Sequence, residues 1–211
     1  LIKFLTWILP TNAGQGLVII AAVMTSQPLP VLPVQALWIN MTTAVLLGLA
    51  LAFEPREPGI MHRLPRIPGA SILTGELIFR IVLVGLLLLM GSFGLFEWSL
   101  YQGASEAEAR TIAVNVFAVG QSFYLLNCRS LRYSMFQLGL FSNLWIWGGI
   151  AAMAMSQLLF TYSPLMNQLF HTAPIGLMDW LHILVVGVII YLVINAEKTF
   201  RRSRETRDVA D

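Results

Sequence analysis

Two amide side chains, those of Asn12 and Gln15, lie three residues apart in an otherwise apolar stretch near the start of the chain. Residues with this spacing share one face of a helix, so both amides point the same way. Their oxygens are hard donors that suit hard cations such as calcium or sodium. Pro10 removes a backbone hydrogen bond, and Gly14 and Gly16 allow close approach or unwinding. A cation site on this face, with freed backbone carbonyls beside it, is therefore one hypothesis, and helix packing is the other.

Further neutral polar residues interrupt the later apolar stretches. Asn40 and Thr43 share a face of the second, and Gln121 lies in the fourth. Such residues also hold membrane helices together by hydrogen bonds worth about 0.6 to 2 kcal/mol each. For any single residue, helix packing is the favoured role. For three clusters in three stretches, helix packing and a binding site are equally favoured. The other neutral polar residues in these stretches are Thr42, Asn115, Ser122, Asn127, Ser156, Gln157 and Asn195.

Charged residues avoid the middle of every apolar stretch. All eleven acidic residues fall in loops, in the C-terminal tail or near the ends of the stretches. Proton relays and ion pathways in membranes usually carry a buried carboxylate, which the present chain lacks. The three histidines show no metal-ligand spacing, and the single cysteine excludes an intramolecular disulfide. A net charge of +2 is too small to indicate a nucleic-acid partner.

Composition indicates that the lipid bilayer is the solvent and partner of this chain. The sequence is 57% hydrophobic and only 11% charged, whereas soluble domains are about a quarter charged. A helix needs about 20 apolar residues to cross a bilayer. We predict an all-α integral membrane protein, a six-transmembrane-helix bundle formed by residues 1–197, with a frayed basic cytoplasmic tail at 198–211. The predicted spans are about 4–24, 31–53, 77–100, 111–128, 144–162 and 180–196.

The loops predict the orientation. Twelve of the thirteen lysines and arginines fall on one side of a six-span arrangement, and basic loops favour the cytoplasm. Both termini are therefore expected in the cytoplasm, and Arg110 is the exception on the other side. Trp7 is expected to be an interfacial anchor. Helix packing is expected to use the glycines at 85, 91, 94, 148 and 149. Because no initiator Met precedes the first span, we expect a C-terminal piece of a longer protein.

Two stretches resemble P-type cation-transporting ATPases of the type II, calcium-pump-like branch. Pro33-Val-Gln-Ala-Leu-Trp-Ile-Asn40 and the later run Ile60-Met-His-Arg-Leu-Pro-Arg66 are similar to that family's sixth membrane helix and following cytosolic loop. Thr11-Asn-Ala-Gly-Gln15 resembles the ion-binding segment of the fifth helix. By topology, the whole chain is similar to the fifth through tenth membrane helices.

The resemblance implies a cation site formed by Asn12, Gln15, Asn40, Thr43 and Gln121. Calcium pumps have glutamates where this chain has Gln15 and Gln121, and an aspartate where it has Ala44. Calcium affinity depends on the number of charged ligands, so one ion, completed by the missing fourth helix, is more plausible than two. Calcium is favoured, from the similarity to bacterial pumps of that branch. A monovalent cation remains open.

The resemblance also implies that the catalytic parts, with ATP and magnesium, precede residue 1. The chain would contribute no catalytic residue and would couple ion occlusion to phosphorylation in its partner, the missing N-terminal half of the same pump. The loop from Glu54 to Gly75 would dock on the phosphorylation domain. The pump itself would lie in a bacterial plasma membrane. Two alternatives remain, a secondary transporter or channel and a membrane scaffold whose polar residues only pack helices.

Overall fold

The computed structural model describes residues 2–54, 73–130, 139 and 142–208, and all regular secondary structure in these segments is helical. In chain order, the helices are α1 (Ile2–Thr25), α2 (Pro33–Thr43), α3 (Leu49–Ala52), α4 (Gly75–Tyr101), α5 (Glu106–Cys128), α6 (Leu144–Tyr162), α7 (Pro164–Phe170) and α8 (Leu177–Asp208). A π-helical turn at Ala44–Gly48 joins α2 to α3.

The predicted six-helix membrane bundle is confirmed. Within the described segments, six helical runs are long and apolar enough to cross a membrane, with α2, the π-helical turn and α3 forming one run over Pro33–Ala52. The run with the lowest mean hydropathy, α5, is the centre of the bundle, because 83% of its apolar window is buried against 28–44% for the others. It packs against α1, α2, α4, α6 and α8. Its polar residues therefore face protein rather than lipid.

Helix α1 remains α-helical across Pro10, which is buried within it. Proline has no N–H to donate to the carbonyl four residues earlier, and that carbonyl belongs to Thr6. The hydroxyl of Tyr124 on α5 donates to it instead, at 2.7 Å. Of the two roles expected of the glycines, close approach and unwinding, the helix shows close approach, because a Cβ added at Gly14 would lie 2.9 Å from Leu88.

Glycines set the approach of several helices. Gly85, Gly91 and Gly149 lie where an added Cβ would come within 2.4–3.2 Å of another atom, as expected for packing residues. Gly94 and Gly148 have nothing within 4 Å of such a Cβ in the described part of the chain, so they pack no described helix there. Gly149 approaches the π-helical turn most closely, with its Cβ position 2.4 Å from the carbonyl oxygen of Leu46.

A buried ion pair joins the end of α3 to the loop between α5 and α6. Arg129 is fully buried and donates from Nε to the Glu54 carboxylate at 3.1 Å. Asn143, which caps the start of α6, donates to the same carboxylate at 2.7 Å. Arg129 also donates to the Ser142 hydroxyl at 2.6 Å. The network ties three helix ends together and satisfies both charges.

The same end of the bundle holds most of the other described charges. Arg80 on α4 pairs with Glu197 on α8 at 3.2 Å, and Lys198 donates to the backbone carbonyls of Asn127 and Ser130 at the end of α5. Arg110, by contrast, bonds the Leu29 carbonyl at the opposite end. The basic residues are sorted as the sequence indicates, and the cytoplasmic placement of the termini stays a prediction.

Two sequence expectations are corrected at this end. Helix α8 continues through Asp208 instead of fraying at 198, and Lys198 is buried because its ammonium caps the carbonyls of α5. Trp7 is fully buried and is no interfacial anchor, since its indole N–H bonds the Gln121 carbonyl at 3.1 Å. The docking loop, with Arg56, Arg63 and Arg66, lies outside the described residues over 55–72, as does Arg132.

We expect Gly149→Ala to destabilise the bundle, because the new methyl group would overlap the Leu46 carbonyl. Overpacking of this kind costs about 1 to 3 kcal/mol, and the melting temperature in detergent should fall accordingly. Gly148→Ala is the matched control, because its Cβ enters open space. Equal melting temperatures for the two variants would contradict the close contact.

Glu54→Gln should be strongly destabilising, because it removes the carboxylate charge that the buried guanidinium of Arg129 bonds. Breaking a buried pair from one side costs about 3 to 5 kcal/mol. The comparison variant is Glu106→Gln, which removes an exposed carboxylate paired with Arg110 and should cost about 0 to 1 kcal/mol. The idea fails if both variants melt at the same temperature.

Candidate functional site

The centre of the candidate site is a hydrogen bond between α1 and α2. Nε2 of Gln15 donates to Oδ1 of Asn40 at 3.1 Å. Gln15 is 7% exposed and lies at the edge of the face that α1 buries. An amide oxygen has two lone pairs, so Asn40 can accept this bond and still offer its second lone pair to a cation. The bond thus holds the Asn40 amide in one orientation, with a lone pair of its oxygen still available.

The outer side of this pair is open to the bundle surface. Asn12, Asn40 and Ala44 all have exposed side chains, although each lies within a membrane-length helical run. Asn40 and Ala44 are one turn apart and therefore share a helix face. Asn40 and the start of the π-helical turn are therefore exposed on the same face of the second run. Such local departures from α-helix occur frequently at functional sites.

Thr43 is buried beneath this surface. Its hydroxyl donates to the backbone carbonyl of Ile39 on its own helix at 2.7 Å. The hydroxyl proton is therefore used within α2, and the oxygen keeps a lone pair. Thr43 precedes the π-helical turn directly, so its position is coupled to the geometry of that turn.

Gln121 is the predicted ligand that no described hydrogen bond links to the others. It is fully buried in α5, and its Oε1 has no hydrogen-bond partner within the described part of the chain. Its backbone carbonyl, and not its side chain, accepts the hydrogen bond from the Trp7 indole on α1. The described hydrogen bonds bring Gln15 and Asn40 together and do not connect Gln121 to them.

The chemistry available at this surface is that of neutral oxygen donors. Amide and hydroxyl oxygens are suited to hard cations. Among the residues the structure describes, no group of three His, Cys, Asp or Glu side chains could hold a metal ion. A cation would therefore be held here by dipoles alone, unless a segment beyond these residues supplies charge.

Several other polar residues of the spans join helices, as the packing interpretation expects. Asn127 donates to the Tyr191 carbonyl at 3.1 Å, and Ser92 donates to the Ala113 carbonyl at 3.2 Å. Ser122 bonds within its own helix. Two polar side chains that sequence reasoning did not place in a site, Asn115 and Gln157, keep buried atoms without described partners. Their only sequence signal is a polar residue within an apolar span.

Comparison with known proteins decides the family. The family described as "Cation transporting ATPase, C-terminus" matches residues 28–200. The chain belongs to the P-type cation-transporting ATPases. The "Probable cation-transporting ATPase F" of Mycobacterium tuberculosis is 50% identical over 204 residues, which cover 97% of this chain and 22% of the relative.

More distant pumps match over the same region. The "Cation-transporting ATPase pma1" of Synechocystis is 35% identical over 84% of this chain and 20% of its own length. The "Calcium-transporting ATPase" of Bacillus subtilis is 31% identical over 88% of this chain and 21% of its own length. The chain thus spans about a fifth of the curated relatives that it matches, and corresponds to the C-terminal membrane region of this ATPase family.

Proposed function

We propose that this chain is the ion-binding membrane part of an ATP-driven cation pump. The observation that carries the proposal is the Gln15–Asn40 hydrogen bond between α1 and α2, beside the open amide of Asn12. In this proposal Asn12, Gln15, Asn40 and Thr43 contribute oxygens at one surface, and Gln121 contributes from the interior. Because the chain belongs to a family of cation-transporting ATPases, we infer that these oxygens bind the transported cation.

The partner of this surface would be the remaining membrane helices of the same pump. An amide exposed to hydrocarbon costs several kcal/mol because no water can bond it. Asn12 and Asn40 therefore favour a protein neighbour or a water-filled pathway over lipid. A helix packed on this surface would also complete the coordination of an ion held by two or three amide oxygens.

Calcium is the cation we favour. Relatives named calcium-transporting ATPases match most of this chain, including those of Bacillus subtilis and Bacillus cereus. The neutral donor set favours one ion, because each carboxylate that is missing weakens calcium binding. The same neutrality supports the second candidate, a monovalent cation pumped by the same mechanism, since a single charge is better balanced by dipoles alone.

Phosphorylation by ATP with magnesium would occur in the rest of the protein, and α1 and α2 would transmit it to the site. The geometry offers a route, because the π-helical turn follows Thr43 and lies against Gly149. A rotation of the second span about this turn would move Asn40 relative to Gln15 and change access to the cation.

Asn12→Ala and Asn40→Ala in the full-length pump should each weaken cation stimulation of the phosphorylated intermediate. Losing one oxygen that bonds a charge costs about 1.5 to 3 kcal/mol, which is about a tenfold to 150-fold loss of apparent affinity. The control is Asn195→Ala, a half-buried asparagine on α8. Unchanged stimulation in both site variants, with normal expression, would favour the packing interpretation.

Ala44→Asp tests the charge of the site. Ala44 is exposed one turn from Asn40, so the new carboxylate should face the bound ion. Phosphorylation should then respond to lower concentrations of calcium, while the response to sodium or potassium changes less. The ions are compared in one ATPase screen with the unaltered pump. An unaltered pump stimulated by sodium or potassium alone would replace calcium with the monovalent candidate.

A further inference from the structure

Three helices meet around one turn of α6, between Gln157 and Thr161. The indole of Trp38 on α2 stacks on Phe160 with ring centroids 5.7 Å apart and planes inclined by 18°. From α5, Nδ2 of Asn115 donates to the Thr161 hydroxyl at 3.0 Å. Gln157 lies three and four residues before Phe160 and Thr161, and therefore on the same face. The side chains of α2, α5 and α6 converge on this turn.

Four buried polar atoms around this turn have no hydrogen-bond partner within the described segments. They are Nε1 of Trp38, Oδ1 of Asn115, and both Nε2 and Oε1 of Gln157. Asn115 is fully buried and Gln157 is 2% exposed. Buried polar groups in native proteins are nearly always bonded, to protein or to ordered water. Three unsatisfied side chains at one helix junction therefore indicate a shared guest.

The chemistry of the four atoms identifies the guest. Trp38 and the Gln157 amide nitrogen are donors, whereas Asn115 Oδ1 and Gln157 Oε1 are acceptors. A water molecule donates twice and accepts twice, and buried water typically makes two to four such bonds. A metal cation suits only the two oxygens, because the N–H groups present their positive ends to it. We propose that Trp38, Asn115 and Gln157 form an internal water site, the water node, which holds one or two water molecules.

The node has a structural consequence for the second span. Trp38 lies two residues before Asn40, so water bonded at its indole links this part of α2 to α5 and α6. The water node is thus a support that positions α2, independent of which cation the pump carries. It does not require the proposed function, since the atoms that form it belong to the helix junction alone.

The direct test is an experimental map of the intact pump at a resolution that shows ordered water. We expect density within hydrogen-bond distance of the Gln157 amide and Asn115 Oδ1. Direct bonding between these amides, or a node without density, would overturn the proposal. Data collected with rubidium in place of lighter monovalent ions provide the second arm. Anomalous signal at the node would assign it to a cation and overturn the water assignment.

Variants test whether the water couples the helices. Trp38→Phe, Gln157→Leu and the double variant are compared by melting temperature in the full-length pump. Because both side chains would bond the same water, the double variant should lose less than the sum of the single losses. Ser156→Ala, next to Gln157 but outside the α6 face that is buried, is the control and should melt like the parent. Strictly additive losses would contradict a shared guest.

Discussion

Polar groups at membrane depth have no bulk water to bond, so each needs a partner within the protein, and much of this structure follows from that constraint. Proline at position 10 leaves the Thr6 carbonyl without its helical hydrogen bond, and the hydroxyl of Tyr124 on α5 donates to that carbonyl instead. The hydroxyls of Thr42 and Thr43 turn back onto their own helix. Most of the described charged groups lie at one end of the bundle, where Arg129 and Glu54 satisfy each other.

The same constraint explains why α5 is central. A helix with Asn115, Gln121 and Asn127 along its length would be costly if lipid surrounded it. Enclosed by five neighbours, it exchanges lipid contact for helix contact, and its Tyr124, Asn115 and Asn127 side chains bond α1, α6 and α8. The span with the weakest membrane signal in the sequence thus becomes the scaffold on which the more apolar helices pack.

The candidate site is an exception to this rule, because two of its amide side chains are exposed. Asn12 and Asn40 remain open on the outside of α1 and α2, whereas the amide of Gln15 is directed to Asn40. An open polar surface on a membrane bundle is less costly against a protein neighbour or a hydrated path than against lipid. The exposed amides and the Gln15–Asn40 bond are consistent with one part of a pump whose remaining ligands come from other segments.

The sequence by itself determined the class, the number of membrane helices and the sorting of charge, because hydropathy over about 20 residues and the positions of lysine and arginine are local properties. Motif resemblance located the amide pair, because Asn12, Gln15 and Asn40 lie within short recognisable stretches. Only the tertiary structure decided which polar residues meet. How distant helices pack decides that the Trp7 indole bonds the backbone carbonyl of Gln121 and that the Tyr124 hydroxyl bonds the Thr6 carbonyl that Pro10 leaves free. Such contacts join residues more than a hundred positions apart, and no local pattern encodes them.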